Sequence, residues 1–305
     1  MVGAVEGPPA QRSLSGQEAD RPLCPQTTDV DQQHDLAALL TRGHVVALTG
    51  AGISTESGIP DYRGPSGAAQ RRHAPMTYQT FTRDPVARRR YWARSHVGWA
   101  LIGRAAPNEG HRALAQLEQG GLVAGVVTQN VDGLHEAAGS QRVVDLHGRL
   151  DRVRCLSCDR VVPRADVRRR LDDANRGWSA SITAVNPDGD VDLPDDELDG
   201  FTVVDCEVCG GLLKPDVVYF GENVPPSRVA AANDLVDSAR SLLVLGTSLH
   251  VFSGRRHVVR AAKAGVPVVV VNQGPTRADD LATIRLDAPL GPTLSELASH
   301  ALATT

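Results

Sequence analysis

The sequence predicts an α/β protein built on a doubly wound parallel sheet, with a smaller unit inserted into it. Three observations carry this expectation. Short, continuously apolar runs at residues 44–49, 122–128, 242–245 and 266–271 have strand length and no polar face, as strands covered on both sides require. Segments with helical spacing separate them, and strands that alternate with helices pair in parallel through crossovers. Between residues 151 and 212 the apolar periodicity fades, acids accumulate in DGDVDLPDDELDG, and two Cys-x-x-Cys pairs appear.

The elements follow in order. Residues 1–30 are rich in Pro, Gly, Gln and acid and read as a disordered tail. Residues 29–42 place Leu36, Leu39 and Leu40 on one helical face, with Gly43 as a stop. The strand at 44–49 runs into Gly50-Ala51-Gly52, a glycine turn of the kind that brings backbone N–H groups to a phosphate. The dinucleotide fingerprint is incomplete, because Thr55 stands where a third glycine belongs and no second strand ending in a ribose-binding acid follows. Gly58, Pro60 and Gly64 exclude a continuous helix in the polar loop after it. Residues 66–106 are rich in Arg and aromatics and read as inserted helices, with Arg88, Arg89 and Arg90 on a solvated face. Asn108 caps a helix that carries Leu114 and Leu117 inward. The strand at 122–128 leads into Gln129-Asn130-Val131-Asp132, and a buried strand at 142–146 ends at His147-Gly148. After the cysteine-bearing unit come KPDVVYFGE at 214–222, the strand at 242–245, a crossover helix at 256–264, strands at 266–271 and 283–286, and a closing helix from Thr293. Residues 31–65, 107–150 and 213–305 then form the large domain, 66–106 a helical insertion and 151–212 the small module.

Composition narrows the class of partner. A formal net charge of −4 supplies no global basic field for nucleic acid. No apolar run reaches the roughly 18 residues of a membrane span, and residues 1–30 lack the apolar core of a secretory signal. A mitochondrial transit segment would be Arg-rich and acid-poor, whereas this tail carries Glu6, Glu18, Asp20 and Asp29. Neither nucleic acid nor membrane is expected as a partner, and the expected compartment is a bacterial cytoplasm.

Four of the five cysteines, Cys155/Cys158 and Cys206/Cys209, form two Cys-x-x-Cys pairs, while Cys24 lies in the tail. Four thiolates are the usual ligand set of one structural Zn2+, and such a closed shell leaves no open position for chemistry. Redox cysteines remain the alternative. Of the histidines, His147 alone ends a predicted buried strand with glycine behind it, and an imidazole takes up a proton near neutral pH. His44, His135 and His250 read as structural.

Residues 50–64, GAGISTESGIPDYRG, resemble the sirtuin signature, with Tyr62 where Phe is usual. TQNVD at 128–132, the Leu-His-Gly around His147, KPDVVYFGE, GTSL at 246–249 and VNQG at 271–274 resemble further motifs of that family. GPTRADDLA, RYWARSHVGW and the stretch from Gly177-Trp178 through PDGDV are similar to its class II branch. The resemblance implies a Rossmann-like domain with an inserted zinc-binding and helical module. It also implies NAD-dependent removal of an acyl group from protein lysine, with nicotinamide and 2′-O-acyl-ADP-ribose as products. It places Gly50, Ala51, Gly52, Ser54, Thr55, Ile59, Pro60, Asp61, Tyr62, Arg63, Gln129, Asn130, Val131, Asp132, Gly246, Thr247, Ser248, Asn272, Gln273, Gly274 and Leu290 around NAD. Asn130 and Asp132 would surround its nicotinamide end with Ile59 and Asp61. His147 would be the catalytic base, and Val217, Val218, Tyr219, Phe220 and Gly221 would border the acyl-lysine cleft of a protein substrate. Many sirtuins carry Pro after GTSLxV, where this chain reads Val251-Phe252-Ser253-Gly254. Tyr91 and Arg94 have the Y-x-x-R spacing that recognises an acyl carboxylate in another branch, and at i, i+3 the pair also suits plain bracing of a helix. A mono-ADP-ribosyltransferase or a non-catalytic NAD-binding module would use the same pocket.

Overall fold

The computed structural model describes residues 29–61, 75–185 and 191–304. It opens with α1 (Asp29–Thr41), whose Leu36 and Leu40 are buried. Gly43, at φ +66°, turns the chain into β1 (Val45–Thr49), every residue of which is buried. A seven-residue 3-10 helix, Ala51–Ser57, follows at once and stops at Gly58, which sits in the left-handed region. Next come α2 (Tyr78–Arg83) and α3 (Pro85–Ile102). Asp84 starts α3, its carboxylate accepting from the Val86 and Ala87 N–H groups at 2.9 and 3.0 Å. Asn108 caps α4 (Glu109–Gln119) as expected, accepting from His111 N–H. β2 (Val123–Thr128), the short α5 (Leu134–Ala137) and β3 (Val143–Asp145) complete this half of the large sheet.

The small unit contains β4 (Gly148–Cys155), β5 (Val161–Pro163), α6 (Arg164–Ala174), β6 (Ala184–Val185), β7 (Val191–Asp192), α7 (Asp195–Leu198) and β8 (Leu213–Val217). Then α8 (Pro226–Asp237), β9 (Ser241–Leu245), α9 (Phe252–Lys263), β10 (Val268–Val271), a 3-10 turn at Asp279–Leu281, β11 (Ile284–Leu286) and α10 (Leu290–Ala303) close the chain.

β11-β10-β9-β1-β2-β3 form one six-stranded parallel sheet. One core packs α1, α4 and α10 on one face, through Leu114, Leu294 and Leu297. The other packs α8 and α9 on the opposite face, through Leu235, Val236 and Val258. Helices on both faces explain why β1, β9 and β10 have no polar side. β3 departs from expectation. It is the edge strand and only half-buried, because no strand among the described residues lies beyond it. Two helix starts also differ. α9 begins at Phe252 and α10 at Leu290, both ahead of the predicted starts, and neither start has a side-chain cap that the sequence would reveal.

A second, antiparallel sheet has the order β5-β4-β8. Leu213–Val217, grouped above with the large domain, pairs there with β4. Phe81, Tyr91 and Trp92 from α2 and α3 share one core with Val153, Val167 and Leu171 from the cysteine-bearing unit. The Trp92 indole N–H donates to Leu213 O at 3.2 Å and ties the two parts together. No helix among the described residues is long and apolar enough to cross a membrane.

Candidate active site

The carboxyl ends of β1, β2, β9 and β10 open into a cavity of about 1670 Å³ that extends to β8 and the start of α9. Open α/β sheets bind ligands at this place. Gly50, Ala51, Gly52, Ser54, Thr55, Ile59, Asp61, Gln129, Asn130, Val131, Asp132, His147, Gly246, Thr247, Ser248, Asn272, Gln273, Gly274 and Leu290 all line it, as do Val217, Val218, Tyr219, Phe220 and Gly221. Pro60 is not among the lining residues. Tyr62 and Arg63 lie outside the described residues.

The glycine turn is built differently from the phosphate cradle expected of it. Gly50 N–H donates to Leu245 O at 3.1 Å and Gly52 N–H to Gly246 O at 2.8 Å, so both amides are committed to β9 and its following turn. A Cβ on Gly52 would fall 2.8 Å from Gly246 Cα, and one on Gly246 would fall 2.7 Å from Ile53 N. Gly246 also has φ +57°. Glycine is demanded here by two backbones in contact.

Beside this turn, three polar side chains from two elements converge. Asn130 donates both amide hydrogens, to Gly50 O and to Ser54 Oγ, each at 3.0 Å. Ser54 Oγ donates to Asp132 Oδ2 at 2.7 Å, while Asp132 Oδ1 accepts from Leu134 N–H. Burial raises the Asp132 carboxyl above the ordinary carboxylate range, against the two hydrogen bonds that favour its anion. Behind them runs a second chain of contacts. Asn130 N–H donates to Thr128 Oγ1, Thr49 Oγ1 donates to Thr128 Oγ1 at 2.9 Å, and Thr49 Oγ1 meets His135 Nε2 at 2.9 Å. His135 packs edge-on against His111, 4.9 Å between centroids. Burial holds these imidazoles at about 3 and about 4, so both are neutral at cellular pH.

His147 sits where the two sheets meet. Its carbonyl accepts from Val218 N–H at 2.8 Å. Gly148 follows with φ +82°, and a Cβ there would collide with Asp216 O. The His147 ring is half-buried and opens on the cavity. Nδ1 lies 2.9 Å from Gln129 O and Nε2 lies 2.7 Å from Ser253 Oγ. A carbonyl only accepts, so Nδ1 carries the hydrogen and Nε2 keeps the lone pair. Loss of water pushes the imidazole down to about 4, the Gln129 carbonyl opposes this, and Arg228 adds to it. The neutral ring is a base whose lone pair is directed away from Gln129.

KPDVVYFGE folds as a strand and a turn. Tyr219 is buried, its ring 5.3 Å from Phe81 and 5.4 Å from Tyr91, while Phe220 is exposed. Lys214 is buried too. Its ammonium meets Glu222 at 3.0 Å and lies 4.5 Å from the Tyr219 ring centroid. Glu222 also accepts from Tyr219 N–H, which fixes the turn. Tyr91 reaches the cavity wall, whereas Arg94 is not among the lining residues.

Cys155, Cys158, Cys206 and Cys209 place their sulfurs within 4.8 Å of one another. The Cys155–Cys209 and Cys158–Cys206 separations are 3.5 and 3.9 Å. Zn–S bonds of about 2.3 Å at tetrahedral angles put sulfurs about 3.8 Å apart, so the four thiols fit one zinc ion. Ser157 N–H donates to Cys155 Sγ, which helps to carry thiolate charge.

The cavity wall also includes Glu56, Met76, Leu150, His250, Phe252 and Ser253, which sequence reasoning did not assign to the site. Glu56 anchors the 3-10 helix by accepting from Gly291 N–H at 3.0 Å. The legible signal near Ser253 is the absence of proline after the GTSLxV run, in Phe252-Ser253-Gly254.

A crevice at the strand ends of a doubly wound sheet, with a four-thiol module beside it, defines a nucleotide-crevice α/β protein with an appended metal unit. The Sir2 family model matches residues 50–253, and the chain belongs to the Sir2 family, the sirtuins. NAD-dependent protein deacetylase 1 of Streptomyces coelicolor is 59% identical over 278 residues, covering 91% of this chain and 92% of that protein. An NAD-dependent protein deacetylase of Xanthomonas axonopodis pv. citri is 51% identical over 250 residues, covering 82% and 85%. Among solved structures, a Sir2–p53 peptide–NAD+ complex superposes with a TM-score of 0.67 at 31% identity, covering 88% of this chain and 97% of that one.

Proposed function

We propose that this chain is an NAD-dependent deacetylase of protein acetyl-lysine. The observation that carries the reading is His147. Gln129 holds it in the tautomer with a basic Nε2, and it shares one cavity with the Ser54–Asn130–Asp132 cluster and the Val217–Gly221 segment. The cavity exceeds the about 300–1,000 Å³ that a drug-sized ligand fills. It has room for a dinucleotide and a lysyl side chain together.

When bound, NAD supplies a glycosidic bond to nicotinamide that can break, and a ribose hydroxyl. Gly246, Thr247, Ser248, Asn272, Gln273, Gly274 and Leu290 would hold the nucleotide, and the glycine turn would close over it. Asn130, Asp132 and Ile59 would exclude water around the nicotinamide and fix its orientation. The peptide would lie along the Val217–Gly221 segment, adding backbone hydrogen bonds that demand little of its sequence. The acyl chain would enter the cavity beside Tyr219 and Val131, which both line it. His147 Nε2 would take the ribose hydroxyl proton.

Work in a bacterial cytoplasm belongs to the same proposal. The bacterial relatives support it, as do four closely placed thiols that suit a reducing compartment. Membership of the class II branch is part of the same reading and rests on GPTRADDLA, RYWARSHVGW and the stretch from Gly177-Trp178 through PDGDV. The test is nicotinamide release from an acetyl-lysine peptide with NAD. His147→Ala should lower it at least about a hundredfold, the lower end for a lost general base. Zinc content and circular dichroism should not change. Near-normal turnover in that variant would remove His147 from the chemistry.

A further inference from the structure

We propose that Ser253 is a positioning residue for His147. Its hydroxyl holds the lone pair of Nε2 from the first turn of α9 and gives it up when a sugar hydroxyl arrives. The inference rests on the deacetylase reading for its kinetic part only.

The geometry forms a closed ring of contacts. Gln129 O fixes the hydrogen on His147 Nδ1, so Ser253 Oγ, 2.7 Å from Nε2, is the donor in that contact. Ser253 is the second residue of α9, and the next residue, Gly254, packs directly on Gln129. A Cβ on Gly254 would fall 2.4 Å from Gln129 Oε1. Gln129 is held in turn, its amide donating to Thr247 Oγ1 at 2.9 Å and to Thr49 O at 3.2 Å. The backbone carbonyl that fixes one ring nitrogen and the helix that presents a hydroxyl to the other are therefore clamped to each other. Both in-plane edges of the imidazole are held, and the ring cannot turn without breaking one contact.

Nε2 has one lone pair, so Ser253 and a ribose hydroxyl cannot both donate to it. Ser253 is half-buried at the cavity wall, and rotation about its Cα–Cβ bond moves the hydroxyl without moving the helix. A donor to the neutral ring also disfavours its protonation. Around it, burial and Arg228 act in the same direction and the Gln129 carbonyl opposes them. Arg228 faces His147 from α8, itself paired with Asp216 of β8 at 2.8 Å, and His257 lies one turn beyond Ser253 in α9.

The test uses the full-length, zinc-loaded protein with Ser253→Ala and Ser253→Thr. Nitrogen-15 imidazole spectra should show His147 protonated on Nδ1 in all three proteins. In Ser253→Ala the Nε2 resonance should move to that of an unbonded acceptor, and the protonation midpoint should rise by about half a pH unit or more. kcat for nicotinamide release should fall about fivefold, the worth of one hydrogen bond, with KM for NAD within about twofold. The acid limb of the rate profile should move up with the midpoint. Ser253→Thr, which keeps the hydroxyl, should restore all of these. An unchanged Nε2 resonance, midpoint and kcat in Ser253→Ala would overturn the proposal. So would a threonine variant that fails to recover. If the wild type releases no nicotinamide from any acyl-lysine peptide, the deacetylase reading fails, and the imidazole spectra still decide the Ser253 contact.

Discussion

Acid should destabilise this protein through buried histidines, and His257→Leu should remove a measurable share of that effect. His257 is fully buried, and neither ring nitrogen has a hydrogen-bond partner among the described residues. Burial first, then Arg256, Arg260 and His147, hold it at about 4 against an ordinary value of 6.5. His147 and His111 lie at about 4 and His135 at about 3 for the same leading reason. The sign follows from proton binding. Between pH 6.5 and 4 the unfolded chain binds protons on these rings and the folded chain does not. Their contribution is fully present above 6.5 and is lost as pH falls toward 4. Each ring costs about 1.4 kcal/mol between pH 7.5 and 5.5. Asp145 runs the other way. Burial and Glu136 raise its carboxyl to about 7, so the folded state takes up that proton first as the pH drops. It returns about 2 of the roughly 5 kcal/mol that the four histidines cost, and Asp132, whose carboxyl burial also raises, acts in the same sense. The assay is urea unfolding at pH 7.5 and 5.5 with zinc content matched. His257→Leu should lose about 1.4 kcal/mol less than wild type between the two pH values. At pH 7.5 it should be nearly as stable as wild type, because a buried group without a partner has been replaced by an apolar one. Equal losses in both proteins would refute the assignment of a neutral, unpartnered His257.

Two further outcomes follow from the small unit. Removing zinc with a chelator, or replacing Cys158 by Ser, should take bound zinc from about one ion per chain toward none and loosen β4, β5 and β8, because metal binding by four thiolates is folding free energy. Metal analysis and amide exchange would read this, and unchanged protection of β4 without zinc would reject a structural role. Lys214→Met should destabilise the chain by about 3 kcal/mol, since it leaves Glu222 without its buried cation. It should also raise KM for the acetyl peptide more than KM for NAD, because Glu222 fixes the turn that carries Tyr219.

The sequence made the large sheet legible for a physical reason. β1, β9 and β10 are covered on both faces, so their continuous apolar runs stand out. The capped helix α4 was legible because Asn108 carries its own signal. α9 and α10 start without a side-chain cap, so their sequences carry no start signal, and a helix expected from 256 leaves Ser253 outside it. β3 reads as buried because its apolar run cannot say that no strand among the described residues pairs beyond it. The site divides along the same line. His147 and the four cysteines were identifiable because residue type and local spacing carry the information. Gly50 and Gly52 were read as a phosphate cradle, yet their amides are committed to Leu245 and Gly246, nearly 200 positions away. The contacts that orient the site are of this distant kind: Asn130 on Ser54, Gln129 on Thr247, His147 on Ser253. Each joins polar side chains that look like ordinary caps or turns in their own segment, and only the register of the parallel strands brings them together. Local pattern therefore reveals which groups can do chemistry, while the groups that aim them become visible only when the sheet is assembled.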